Sequence, residues 1–200
     1  MTDYFAALNE PRRPWLDAEA LNKKFLSLSA DAHPDRVHTL PTAEREAATR
    51  HYAELNAAYN CLRDAKQRLR HLLELERGSK PAEIQDIPGS LMEFFMEVGR
   101  LCREVDSFLA EKATVTSPLL QVEWFERGQD WTGKTQSMQK SIQERIDALL
   151  ANLKEMNHAW DASAPAANRP LDRVEEIYRL LGYLGRWAAQ LAERTMRLSL

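Results

Sequence analysis

Apolar side chains recur along this chain at alternating intervals of three and four residues, the spacing that lines one face of an α-helix. Leu21, Phe25, Leu28 and Ala32 keep that interval behind Asp17, which is placed to cap the helix they predict. Ala48, Tyr52, Leu55, Tyr59 and Leu62 keep it over about residues 42–64, long enough to pack antiparallel against the first helix. The pair forms a helical hairpin with His33-Pro34-Asp35 at its tip. Tyr4 and Leu8 predict a short amphipathic turn closed by Pro11–Pro14, and Leu69, Leu72, Leu73 and Leu75 a short helix before Gly78.

Residues 79–90 carry two prolines, a glycine and no helical period, which marks a domain junction. Beyond it come three amphipathic runs, at about 90–111, 119–158 with a break expected around Gly128–Gly133, and 170–198. Ile142, Ile146, Leu149, Leu153 and Met156 form one stripe. Leu171, Val174, Ile177, Leu181, Leu184, Ala188, Leu191, Thr195 and Leu198 form another. Such stripes on successive helices predict a small antiparallel three-helix bundle.

Composition agrees with an all-α chain, since Gly is scarce and helix formers dominate. The formal charge is about +1 over residues 1–80 (13 basic, 12 acidic) and −4 over 81–200 (14 basic, 18 acidic), which is not the footprint of a nucleic-acid binder. Cys61 and Cys102 form no Cys-x-x-Cys and no Cys/His cluster, so reduced, buried thiols are expected, with no disulfide framework and no metal site. There is neither a leader-like start nor a run long enough to span a bilayer, and a cytoplasmic, membrane-free protein is expected.

Candidate chemistry centres on the turn. His33, Asp35 and His38 resemble neither a ligand set nor an acid/base pair, because Pro34 holds its neighbours in an extended or turn geometry and no nucleophile motif accompanies them. A rigid imidazole–proline–carboxylate point between two helices suits docking better than catalysis. Lys23 and Lys24, opposite Leu21, Phe25 and Leu28, add cations on the solvated side, and Arg36 extends them. On the first helix after the junction, Leu91, Phe94, Val98, Leu101, Cys102, Val105 and Leu109 share one face, while Met92 and Met96 point away from it. Framed by Glu93, Glu97, Arg100 and Arg103, these two methionines form either an adaptable protein-binding patch or a surface covered by a neighbouring helix.

From Asp3 to about Leu75 these residues resemble a J-domain, specifically that of the iron–sulfur co-chaperone HscB. The matches are Asp3-Tyr4-Phe5, Leu16-Asp17, Phe25 and Leu28 ahead of His33-Pro34-Asp35, and the run from Leu55 to Asp64. The resemblance implies a J-domain at 1–78, a linker at 79–90 and a client-binding bundle at 91–200. It implies that His33, Pro34 and Asp35, guided by Lys23, Lys24 and Arg36, dock on a seventy-kilodalton heat-shock chaperone, HscA-like or DnaK-like, and stimulate its ATPase. Leu91-Met92-Glu93 matches the stretch that HscB-like proteins present to an iron–sulfur scaffold, IscU-like, so Leu91, Met92, Phe95, Met96 and Glu97 are the implied client contacts. No cofactor and no enzymatic activity of its own are implied. Two alternatives stay open: a J-domain protein serving other clients in general folding, and a helical adaptor that does not stimulate a chaperone. Trp124, Phe125 and Trp131 are expected to be helix-packing residues.

Overall fold

Asp3 starts the first ordered turn, its carboxylate accepting hydrogen bonds from the backbone N–H of Phe5 at 3.0 Å and Ala6 at 3.2 Å. In this computed structural model, residues 2–31, 41–81, 87–158, 160, 165 and 168–199 are described, without the side chains of 31 and 118–121. Among them lie seven α-helices and no strand: α1 (Tyr4–Ala7), α2 (Ala18–Asp31), α3 (Thr42–Arg63), α4 (Ala65–Arg77), α5 (Met92–Lys112), α6 (Pro118–His158) and α7 (Leu171–Leu198). A 3₁₀ turn, Gly89–Leu91, leads into α5. Asp17 caps α2 through Ala20 N–H at 2.8 Å, as its position predicts. Asp64 both ends α3 and caps α4 through Gln67 N–H at 2.8 Å. Gly78 then closes α4 at φ 71°, a left-handed conformation that only glycine adopts cheaply.

Contacts divide the chain into two units, one of residues 1–82 with 150–178, the other of 83–149 with 179–200. The proline-rich stretch at 79–90 separates helices along the chain, but α6 and α7 each give a segment to both units. A loop composition marks where a helix must stop, not what a later helix will pack against.

In the first unit, Phe5, Leu8, Leu16, Leu21, Leu55, Ala58, Leu62, Leu69, Leu72 and Leu73 are buried, as are Leu153, Val174 and Ile177. Each leucine, isoleucine, valine or phenylalanine among them contributes about 1.5–3 kcal/mol of burial free energy. Polar ties hold the later segment: Trp160 Nε1–H donates to Arg12 O at 2.8 Å, Arg77 pairs with Asp172 at 2.8 Å and with Glu175, and Arg169 pairs with Glu76. His71 is buried beneath Tyr4, its Nε2 accepting the Tyr4 backbone N–H at 3.1 Å.

The second unit is the expected three-helix bundle. Phe94 near the start of α5 meets Arg145 of α6 (4.3 Å), and Phe108 near its end meets Trp124 (5.1 Å), so α5 and α6 run antiparallel. Thr195 and Thr135 join α7 to α6 at 3.0 Å, and Arg194 reaches Asp106 of α5 at 2.7 Å. The break expected around Gly128–Gly133 does not occur, and α6 is continuous. A helix-interior glycine costs only about 1 kcal/mol, which tertiary packing overrides. Gly128 faces the Phe108 ring, where an added Cβ would stand at an ordinary contact distance of 3.8 Å, and that ring sits between Trp124 and Trp131.

Two predictions follow from these environments. Gly133 is exposed with open space at its Cβ position, so Gly133→Ala should raise stability by about 0.5–1 kcal/mol, read by urea unfolding. Burial holds the His71 imidazole below its ordinary value of 6.5, a shift that the Asp3 and Glu74 carboxylates only partly oppose. The unfolded chain takes up that proton more readily, so this contribution to stability is whole above pH 6.5 and is lost as pH falls through 6.5 toward the lower folded-state value. His71→Gln, which keeps an acceptor but cannot titrate, should flatten the fall of the melting temperature with acid.

Candidate functional site

The hairpin is built by one aromatic stack and one buried cation. Phe25 of α2 lies against Tyr59 of α3 with ring centroids 4.4 Å apart and planes 11° from parallel, and Tyr59 Oη donates to Asn22 Oδ1 at 3.0 Å. Arg68, only 5% exposed, donates to Pro14 O at 2.9 Å and to Leu62 O at 2.6 Å. It therefore joins the chain just before α2 to the end of α3, which makes the two helices antiparallel and puts the end of α2 and the start of α3 on the same side. Burial pushes its guanidinium down to about 10, against the pull of Asp64, so it stays charged at neutral pH. Neither Arg68 nor its role is legible in the sequence, where it reads as one more surface cation of an amphipathic helix.

Residues 32–40, which include His33, Pro34, Asp35, Arg36 and His38, lie outside the described residues. Of the cations expected beside them, Lys23 is exposed. Lys24 departs from expectation: its ammonium donates to Glu10 Oε1 at 2.6 Å and to Asn9 O at 3.0 Å. The turn after α1 makes this possible, with Asn9 in the left-handed region at φ 52° and Glu10 N–H bonded to Phe5 O at 2.8 Å. Glu10 stands fourteen residues before Lys24, a separation with no helical register, so no local pattern announces the pair.

On α5, Phe94, Val98, Leu101, Cys102, Val105 and Leu109 are buried, as their spacing predicts, whereas Met92 is 45% and Met96 58% exposed. Leu91 is buried with the core, so it does not belong to the outward surface expected of it. Phe95 is half-buried, its ring 5.9 Å from Trp187. Glu93 and Glu97 are exposed. At Gly99 the bare backbone leaves a notch, where an added Cβ would stand 3.5 Å from the Arg103 guanidinium. The outward face of α5 thus runs Met92, Met96, Gly99, Arg103, with carboxylates to one side. Around the helix, Phe94, Leu101 and Met138 together with Glu97, Arg100, Glu104 and Lys134 line an open cavity of about 410 Å³ between α5 and α6.

Trp124 and Trp131 are partly buried against the bundle core, but Phe125 is 61% exposed, against its expected packing role. Arg127 covers Trp124 at 4.2 Å and Lys134 covers Trp131 at 3.9 Å, so each indole has a cation on it. Cys102 is buried and Cys61 half-buried; burial pushes the Cys61 thiol up to about 11, with the Asp64 carboxylate adding to it, which leaves it a poor nucleophile at neutral pH. Among the described residues no group of three or more His, Cys, Asp or Glu side chains stands close enough to hold a metal ion, and no helix is long and apolar enough to cross a membrane.

No protein-family model matches the chain. Among solved structures, it is similar to the chaperone HscB from Vibrio cholerae, with 21% identity, a TM-score of 0.58 and coverage of 96% of both chains. It is also similar to the human co-chaperone protein HscB, with 18% identity, a TM-score of 0.61, and coverage of 96% of this chain and 82% of that one. From its first turn to the last helix of its bundle, this chain has the all-α fold of the HscB co-chaperones.

Proposed function

We propose that this chain is a cytoplasmic co-chaperone. It docks on a seventy-kilodalton heat-shock chaperone, HscA-like or DnaK-like, stimulates that partner's ATPase, and delivers to it an iron–sulfur scaffold protein, IscU-like. The observation that carries this reading is a paired antiparallel hairpin whose connecting sequence is His33-Pro34-Asp35, in a chain with the HscB fold. Residues 1–78 act as the J-domain, with Lys23 and Arg36 steering and Lys24 a further cation of the same face. Met92, Met96, Phe95 and Glu97 form the client surface, with Leu91 supporting it from the core.

The chain itself performs no covalent step. Holding chaperone and client on one molecule makes their encounter intramolecular and raises the effective concentration of each for the other, to about millimolar for short connections. Stimulation requires that the hairpin bind the hydrolysis-competent state of the chaperone more tightly than the resting state, since only differential affinity shifts an equilibrium.

The engagement of Lys24 by Glu10 supports a second reading, a hairpin that binds without stimulating. Single-turnover ATP hydrolysis by purified HscA and DnaK separates the two: wild type should accelerate one of them, and His33→Gln should lose about tenfold or more of that effect, the size of a lost hot-spot contact. Equal, absent effects from both proteins would support the adaptor. For the client, Met92→Ser with Met96→Ser should weaken IscU binding by about tenfold in a calorimetric titration while leaving client-free ATPase stimulation unchanged. Unaltered IscU affinity, or no IscU binding by wild type, would direct the bundle to a different client.

A further inference from the structure

Lys24 is the one cation of the proposed docking helix whose charge the described structure shows already spoken for. Its Nζ lies 2.6 Å from Glu10 Oε1, the closest approach of a lysine to a carboxylate among the ion pairs described. Glu10 is not a wandering surface acid, because its side chain is only 7% exposed. Its backbone is fixed by Asn9 N–H to Ala6 O at 3.0 Å and Glu10 N–H to Phe5 O at 2.8 Å. The left-handed Asn9 offers its own carbonyl to the same ammonium at 3.0 Å, and Arg13 Nη2 stands 3.5 Å from the other carboxylate oxygen. Two cations from different parts of the chain thus converge on one sheltered carboxylate, while the Lys24 side chain remains 37% exposed toward solvent.

From this geometry we infer that Glu10 is an internal competitor for the chaperone, holding Lys24 in a masked state and so setting how much positive charge α2 presents to an acidic docking surface. The inference rests on the co-chaperone reading above and adds its regulation. The Lys24 ammonium can still be taken over by an incoming carboxylate, because its side chain stays 37% exposed and the sheltered Glu10 keeps Arg13 as a second cation when Lys24 leaves. Charge complementarity acts mainly on the association rate, and one added unmasked charge changes that rate by a few-fold at low salt. Masking therefore acts through the association rate and shifts the half-maximal concentration by the same factor, while the dissociation rate is left alone.

The test uses the full chain and purified HscA and DnaK. Glu10→Gln keeps the shape of the side chain and removes its charge. It should lower the co-chaperone concentration giving half-maximal ATPase stimulation by about 2–5-fold at low ionic strength. That gain should fade as added salt shortens the Debye length from about 10 Å toward 3 Å. Whatever Lys24→Ala does alone, combining it with Glu10→Gln should abolish the gain, which is the coupling a double-mutant cycle isolates. Far-UV circular dichroism melts, with Glu19→Gln as an exposed acid of α2 five residues before Lys24, control for folding and for net charge. Stimulation by wild type with no gain from Glu10→Gln, or a gain that survives Lys24→Ala or is matched by Glu19→Gln, would overturn the masking while leaving the co-chaperone reading intact. Absence of any stimulation by wild type would overturn both.

Discussion

A guanidinium almost sealed from water, that of Arg68, connects two carbonyls that lie 48 residues apart in the chain, Pro14 O and Leu62 O. Carbonyls at a helix end and in a preceding loop have no helical partner, and leaving either buried and unbonded costs about 1–3 kcal/mol. Satisfying both with one side chain fixes the approach to α2 against the exit of α3, and the direction of the hairpin follows. Phe25 and Tyr59 then set the spacing of the two helices by contact of their rings. A buried charge with a depressed pKa is an expensive way to do this, and it makes the arrangement specific, since an apolar residue at position 68 would leave both oxygens empty.

The helices were legible because each carries its own register. Leu21, Leu55 and Leu62 lie at the predicted hairpin face, and the α7 stripe from Val174 to Leu198 faces inward almost throughout. Asp17 was readable as a cap because capping is local in sequence. What failed to show were features that depend on meetings between distant residues. Gly128 and Gly133 read as a helix break, yet α6 runs through both because its packing into the bundle outweighs their small local cost. Glu10 and Lys24, like Arg68, are ordinary charges in the sequence whose partners only the tertiary structure supplies.

The bundle shows how aromatic residues solve a packing problem that aliphatic stripes leave open. Phe108 stands between Trp124 and Trp131, seven residues apart on α6, with Gly128 between those two indoles facing its ring. Trp187 plays a similar part at the other end of α5, meeting Phe94, Phe95 and Tyr183 at centroid distances of 6.0, 5.9 and 5.8 Å. With both ends of α5 held by rings, its outward side need contribute nothing to the core, and Met92, Met96, Gly99 and Arg103 are released from packing duty.

That freedom carries a chemical vulnerability. Thioether sulfurs open to solvent are where peroxide attacks first, and each gains one oxygen atom and becomes a chiral, strongly polar sulfoxide. Because neither Met92 nor Met96 supports the bundle, such a lesion would leave the helices standing while turning an oily strip wet. Reductases specific for each sulfoxide epimer can reverse it, so the redox history of the cell would be written on this face and erasable from it.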